Sequence, residues 1–290
     1  MSATLATKLY RDYFNVPNEP IHVGARRYPI TEYFLEDLQK DDFGLPKQER
    51  AAVSAIMKEI ESKRCRVAPT SAEMEKRFTL VARLTTIVGE PGSSVLIFVP
   101  GMGEIVAISE ALDNIHVAGI EYMCFPIHSD VPFEEQMRAF DDPQENEVKV
   151  IIAVRTNIWT CIDFAFINTL ETHLFSGFCS FRLLWRIQTN AAESSVTLPS
   201  VDHVICLGLC RQIVYNPQSH RQMLSPTWIS KASATQRAGR TGRVRPGSVY
   251  RIYTRSAYEH YMEEFEPGEM VRYVYNDQNV NDIVERDKQN

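Results

Sequence analysis

Short apolar runs and longer amphipathic stretches alternate along this chain. Residues 1–20 read as a loop and then a short helix marked by Leu5, Leu9 and Phe14. Ile30-Thr-Glu-Tyr-Phe34 alternates in polarity and predicts a strand. Val53, Ile56, Met57 and Ile60 recur at helical spacing between Lys47 and Lys63. Met74, Phe78, Leu80, Val81 and Leu84 do the same between Thr70 and Val88. Val95-Leu-Ile-Phe-Val99 is a continuous apolar run, as a strand covered on both faces requires. Pro100-Gly-Met-Gly103 breaks it, and Glu104–Leu112 predicts a helix. Further strands are expected over Glu121–Pro126, Lys149–Ala153, Val201–Leu207 and Ser248–Tyr253, with a helix over Phe133–Phe140. Strands alternating with helices imply βαβ units, and so an α/β fold on a mainly parallel sheet.

Residues 154–188 interrupt the rhythm. The segment is dense in aromatic residues, has no clean period, and separates the strand Lys149–Ala153 from Thr189-Asn-Ala-Ala-Glu-Ser-Ser-Val-Thr197. The stretch after Arg272 is polar and is expected to fray.

Composition narrows the function classes. At 290 residues, 44% hydrophobic and 23% charged, the chain is an ordinary globular protein and not a fibrous, disulfide-scaffold or wholly disordered one. Its net charge of -6 excludes a grip on nucleic acid through bulk positive charge, so any such grip must be local. The six cysteines (Cys65, Cys124, Cys161, Cys179, Cys206 and Cys210) form no CxxC pair and complete no zinc site. Reduced thiols in an intracellular protein, cytoplasmic or nuclear, are the expectation. The N-terminal stretch has no signal-peptide core, and no apolar run is long enough to span a membrane.

The sharpest chemical signal is Gln236-Arg-Ala-Gly-Arg240-Thr-Gly-Arg243. On one helix, Gln236, Arg240 and Arg243 would share a face at i, i+4 and i+7. A bare R-x-x-R reads as a solvated basic face. Two guanidinium groups fixed between glycines suit a polyphosphate, because each presents planar paired donors.

This octapeptide resembles motif VI of the superfamily 2 helicases, in the form it takes in the DEAH-box RNA helicases. Other stretches follow in the same order. Ser94-Val-Leu-Ile-Phe-Val-Pro100-Gly-Met-Gly-Glu-Ile105 resembles motif IV, and Thr189–Thr197 resembles motif V. Pro126-Ile-His128-Ser129, Glu135-Gln136 and Phe140 resemble the stretch between them, and Trp228-Ile-Ser-Lys231-Ala-Ser leads into motif VI as in that family. Met1-Ser2-Ala3-Thr4 resembles motif III, which closes the first RecA-like domain.

The resemblance implies a RecA-like domain of three layers over 22–255, preceded by a remnant of the first RecA-like domain over 1–21 and followed over 256–290 by the truncated start of a downstream region or a disordered tail. It implies an ATP-dependent RNA helicase acting on single-stranded RNA, with Mg²⁺ accompanying ATP, a first RecA-like domain as partner, and an activator protein. Gln236, Arg240 and Arg243 would face the γ-phosphate, and Phe140 would stack on adenine. Ser2 and Thr4 belong to the nucleotide side. His128, Ser129, Thr189, Asn190, Ser195 and Thr197 would touch RNA through hydroxyl, amide and backbone groups, which need no large positive charge.

The chain contains no G-x-x-x-x-G-K-[ST]; Gly89-Glu-Pro-Gly-Ser-Ser lacks the lysine, and no Asp-Glu-x-His follows it. Arginines without a phosphate cradle cannot hold a γ-phosphate for attack. The expectation is that this chain alone neither hydrolyses ATP nor unwinds RNA. Deleting 154–188 joins Ala153 directly to Thr189 and restores a strand-to-motif-V junction. The segment opens on Val154-Arg155 and closes on Gln188, whose codons can carry the letters of an intron's two ends. It is therefore expected to be an insertion, read as a retained intron translated in frame. The alternative to a motor domain is a non-catalytic RNA-binding or regulatory module that keeps the fold. A DNA-directed helicase or a nuclease is a third class.

Overall fold

The computed structural model describes residues 28–154, 198, 201–216 and 221–266, together with Arg11, Phe14 and Asn15. Residues 1–21 other than Arg11, Phe14 and Asn15, the segment 155–188, the stretch 189–197 and the C-terminal tail therefore lie outside the described residues.

Six parallel strands form the main sheet in the order β1-β8-β5-β2-β4-β3. They are β1 (Ile30–Tyr33), β2 (Ser94–Val99), β3 (Glu121–Ile127), β4 (Glu147–Val154), β5 (His203–Cys206) and β8 (Gly247–Arg251). The first helices are α1 (Leu35–Leu38), α2 (Lys47–Lys63), α3 (Ser71–Val88) and α4 (Met102–Asp113). They are followed by α5 (Phe133–Met137), which runs into a 3₁₀ turn over Arg138–Phe140, and α6 (Lys231–Ala238). A two-stranded antiparallel hairpin, β6 (Leu209–Asn216) and β7 (Arg221–Trp228), stands apart from the sheet. Strand β4 reaches one residue past its expected end: Val154 pairs with Val99 and is buried.

The strands alternate cleanly between two cores. Val95, Ile97 and Val99 of β2 and Val148, Val150 and Ile152 of β4 face one side, where they meet Leu35 and Leu38 of α1, Val53, Ile56 and Ile60 of α2, Leu80 and Leu84 of α3 and Ile105 and Ile108 of α4. Leu96 and Phe98 of β2 and Ile151 and Ala153 of β4 face the other, against Ala139, Phe140 and Ala238 of α6. Period-two side-chain alternation thus builds helix–sheet–helix layering, the three-layer α/β arrangement expected from the sequence.

The first face is tied together by charge. Arg77 of α3 is fully buried and donates Nη1 to Glu59 Oε2 of α2 at 2.7 Å and to its own helix's Glu73 carbonyl at 3.1 Å. Glu73 closes a capping box: its Oε2 accepts from the Thr70 N–H at 2.6 Å, the Thr70 hydroxyl at 2.9 Å and Lys63 Nζ at 2.5 Å. Burial works against the Glu73 charge, but these donors outweigh it and hold the carboxyl down at about 2. The folded chain thus holds this proton less readily than the unfolded chain, where a glutamate titrates near ~4.3. Its contribution is complete above that pH and is lost as the pH falls toward 2. Glu73→Gln should lower stability at pH 7 by about 1 kcal/mol, the size of a lost cap. In denaturant melts from pH 7 to pH 2, the gap between variant and wild type should close below about pH 4.

Candidate functional site

In a parallel sheet all strands start at one edge and finish at the other, and the candidate residues divide between those two edges. Helix α6 packs beside β5 and runs antiparallel to it. Its Ser230 cap, whose Oγ accepts from Ser233 N at 3.2 Å, lies by the strand ends, where Ile229 N donates to Gly208 O at 3.0 Å. Its far end reaches the strand starts, where Thr241 donates its hydroxyl to Val201 O at 2.7 Å and lies 3.0 Å from Asp202 O.

The expectation of a single helix face carrying Gln236, Arg240 and Arg243 is corrected here. Helix α6 ends at Ala238, Gly239 caps it, and Arg240–Arg243 form a turn. Glycine explains the break. Gly242 adopts φ +71°, and a Cβ there would meet Ile30 Cγ1 at 2.6 Å. Gln236 and Arg243 are half-buried, and Arg240 is 9% exposed, set into the turn rather than displayed on an open face. Arg243 donates Nε to Gly239 O at 3.1 Å. Among the described residues its terminal nitrogens make no hydrogen bond or ion pair, and burial pulls the guanidinium's pKa down.

The turn is fastened to the starting edge. The Asp202 carboxylate accepts from Ser94 N at 2.9 Å and pairs with Arg245, whose Nη2 donates to Oδ2 at 2.5 Å. That hydrogen bond raises the Arg245 pKa. Asp202 N donates to Ser94 O at 3.0 Å, which places Thr241 over the first residues of β5 and β2. Gly247 closes the arrangement, since a Cβ there would come within 2.8 Å of Thr241 Cβ and 2.9 Å of Asp202 O.

Phe140 lies at the same edge. It ends the 3₁₀ turn that leads back toward the start of β4 and packs on the same core face as Ala238. Lys149 of β4, level with Ser94 in register, donates Nζ to the Asp141 carbonyl immediately after Phe140. Phe140 and the Arg240–Arg243 turn are thus linked through the starts of β4, β2 and β5, a separation of roughly two inter-strand spacings, about 10 Å.

His128 and Ser129 occupy the opposite edge, just past the end of β3. His128 Nδ1 accepts from Asp130 N at 3.1 Å, and Ser129 Oγ donates to Asp130 Oδ1 at 3.3 Å. The motif IV turn lies at this edge too. Glu104 Oε1 accepts from Arg211 Nη2 at 3.2 Å, and a Cβ on Gly101 would strike Arg211 Nε at 2.7 Å. Ser2, Thr4, Thr189, Asn190, Ser195 and Thr197 lie outside the described residues.

Two features went unread in the sequence. The β6–β7 hairpin is one; Ile213-Val-Tyr215 followed by Asn216-Pro217 is its strand-and-turn signal. Arg237 is the other. It points inward, fully buried, 5.0 Å from the Phe98 ring centre, and donates Nη1 to Leu209 O at 3.3 Å and toward Cys206 Sγ at 3.5 Å. Cys65, Cys124, Cys206 and Cys210 are free thiols, and burial raises Cys65 to about 12 and Cys124 to about 11. Among the described residues no three His, Cys, Asp or Glu side chains are grouped to hold a metal ion. No described helix is long and apolar enough to cross a membrane.

The helicase conserved C-terminal domain signature matches residues 173–245, taking in the Arg240–Arg243 turn and the end of the interrupting segment. The chain is 30% identical over 281 residues to the ATP-dependent RNA helicase TDRD9 of Mus musculus, covering 94% of this chain and 18% of that protein. It is 26% identical over 305 residues to the DExH-box ATP-dependent RNA helicase DExH1 of Arabidopsis thaliana, covering 94% of this chain and 27% of that one. Its fold is shared with the Escherichia coli DEAH/RHA helicase HrpB, at a TM-score of 0.57 and 22% identity over 92% of this chain and 25% of HrpB. The fold is therefore one shared with a helicase, and the chain is similar to the C-terminal helicase domains of DEAH-box RNA helicases, with the helicase signature itself falling on residues 173–245.

Gly247→Ala should lower stability by about 1–3 kcal/mol, because neither the Thr241 side chain nor the Asp202 carbonyl has room to withdraw. Thermal unfolding of the purified chain measures it, and an unchanged midpoint would contradict the packing described for this turn.

Proposed function

We propose that the chain is the second motor domain of an ATP-dependent RNA helicase, and that its strand-start edge faces ATP. The observation that carries this reading is the co-location of Phe140 with the Arg240–Arg243 turn on one face and one edge of the sheet. A flat aromatic group at one end and fixed guanidinium donors at the other match the two ends of a nucleoside triphosphate. Arg243, with its terminal nitrogens uncommitted among the described residues, fits a polyphosphate oxygen. Arg240 is held in the turn that Thr241 and Asp202 anchor, so its position is set before any ligand arrives.

The described residues supply half a site. Among them no three His, Cys, Asp or Glu side chains are grouped to hold a metal ion, and the sequence encodes no phosphate cradle. In this reading both come from a first RecA-like domain closing on this edge, and the arginines act across the cleft on charge that develops at the γ-phosphate. RNA lies at the opposite edge, where His128 and Ser129 sit; contact through hydroxyls and backbone predicts weak sequence preference. An activator protein is a further partner in the family's pattern. The chain spans about a fifth of the length of the relatives it matches, so the whole protein's activity is proposed and not read from this domain alone. The segment 154–188 is proposed to be absent from the spliced message, which transcripts joining Ala153 directly to Thr189 would establish.

The non-catalytic alternative gives a different experimental result. The chain should release no phosphate from ATP alone. Placed in HrpB in lieu of that protein's own C-terminal helicase domain, it should restore RNA-stimulated hydrolysis. Arg240→Ala or Arg243→Ala in that chimera should reduce kcat by about 10³-fold or more, with a much smaller change in KM. Arginine variants as active as the parent chimera would favour the non-catalytic module.

A further inference from the structure

Lys149 is 3% exposed, and its described contacts are unusual for a buried ammonium. Nζ donates to the Asp141 carbonyl and lies 5.4 Å from the centre of the Phe125 ring, over which Arg138 also sits at 5.7 Å. It has no carboxylate within ion-pair distance among the described residues. Burial pulls its pKa down, offset in part by the charges of Asp141, Glu147 and Asp142. A methionine would fill the same space without desolvating a charge, so stability alone gives no reason for a lysine here.

Its neighbours supply one. Phe140 ends a 3₁₀ turn of three residues, and Asp141 departs from it in extended geometry at φ -70°, ψ 154°. A turn this short does not hold its own shape. The backbone bond from Asp141 N to Arg138 O, at 3.3 Å, fixes the inner side of the turn, and the Lys149 ammonium fixes its outgoing carbonyl. Lys149 is itself anchored in the sheet interior, with its N–H donating to Ser93 O at 3.0 Å.

We infer that Lys149 is a positioning residue: by holding the Asp141 carbonyl it sets the Phe140 ring at the nucleotide edge and so governs how strongly the base of a bound nucleotide is held. The inference rests on the reading of Phe140 as the base-stacking residue. Lys149 touches the chain that presents the ring and not the nucleotide. Its effect is therefore confined to affinity for the base and does not extend to the phosphates.

A displacement titration of ribose-labelled fluorescent ATP from the HrpB chimera that carries this chain, by ATP and separately by inorganic tripolyphosphate, isolates that effect. The ratio of the two displacement constants measures the contribution of the nucleoside, and a fall in the folded fraction leaves it unchanged. Wild type should favour ATP. Phe140→Ala and Lys149→Met should each cut that preference by about tenfold, the scale of one base–aromatic stack. Lys149→Arg, which keeps a buried donor, should recover most of it. If Phe140→Ala loses the preference and Lys149→Met keeps it, the positioning role is overturned and the stacking role of Phe140 stands. If Lys149→Arg fails as completely as Lys149→Met, the donor is not the cause and the positioning role is again overturned. If wild type shows no preference for ATP, or Phe140→Ala keeps it, the assignment of Phe140 fails and the inference with it.

Discussion

The carboxylate of Asp202 is the point on which the strand-start edge depends. It sits where β5 begins, accepts from the backbone of β2 at Ser94 and pairs with Arg245 beyond the motif VI turn. The Asp202 backbone carbonyl accepts from Ser248 N at 3.0 Å at the start of β8. One residue thus fastens three strand starts and the turn that carries the arginines. A charged group this well enclosed is costly unless its acceptor positions are met, and here both carboxylate oxygens have donors. The cost of burying the charge is offset by these donors, and the same bonds hold an otherwise irregular loop in place.

The arginines of motif VI have different tasks, and helix geometry separates them. Arg237 lies on the buried side of α6, and its side chain runs back toward the helix start, as side chains on a helix do. It therefore reaches the strand-end edge, at Cys206 and Leu209, although its Cα is nearer the other. Arg240 comes after the helix has ended, in a turn that Gly242 folds back against Ile30. Among the described residues Arg243 is tied by Nε alone, to the Gly239 carbonyl at the end of the helix. The same residue type serves once as a core strut and twice as an edge group, and the glycines mark where the change occurs.

Much of the fold was legible because strands covered on both faces leave continuous apolar runs, as Val95–Val99 does, and because α2 and α3 keep a helical period over several turns. The hairpin was harder to read. Leu209–Asn216 pairs with Arg221–Trp228, a strand that contains Ser225 and Pro226, so neither run reads as a clean alternation. At the site, residue types and order were legible, but their geometry was not. The i, i+4, i+7 spacing assumes a helix that continues, and only the left-handed backbone at Gly242 and its contact with Ile30 show that it stops. The role of Lys149 had no sequence signal either, since a lysine among β-formers reads as an edge or solvent position and its burial depends on the Arg138–Asp141 turn folding over it.

The layout also shows how one short helix ties the two edges of the sheet together. Eight residues of α6 span about 12 Å, close to the length of the four-residue strand β5 beside it. The helix therefore joins the two edges directly. At one end Ile229 is bonded to Gly208 at the base of the hairpin, and at the other Thr241 is bonded to Val201 and Asp202. Arg237 adds a second tie from the middle of the helix to Leu209, where the hairpin starts. A force on the Arg240–Arg243 turn therefore acts on a short rigid element whose other end holds the root of β6, with little compliant backbone between them. Arginines set into a fixed turn are placed by that geometry, and the helix that carries the turn is bonded at its other end to the root of the hairpin, an ordering that a diffuse positive field does not supply.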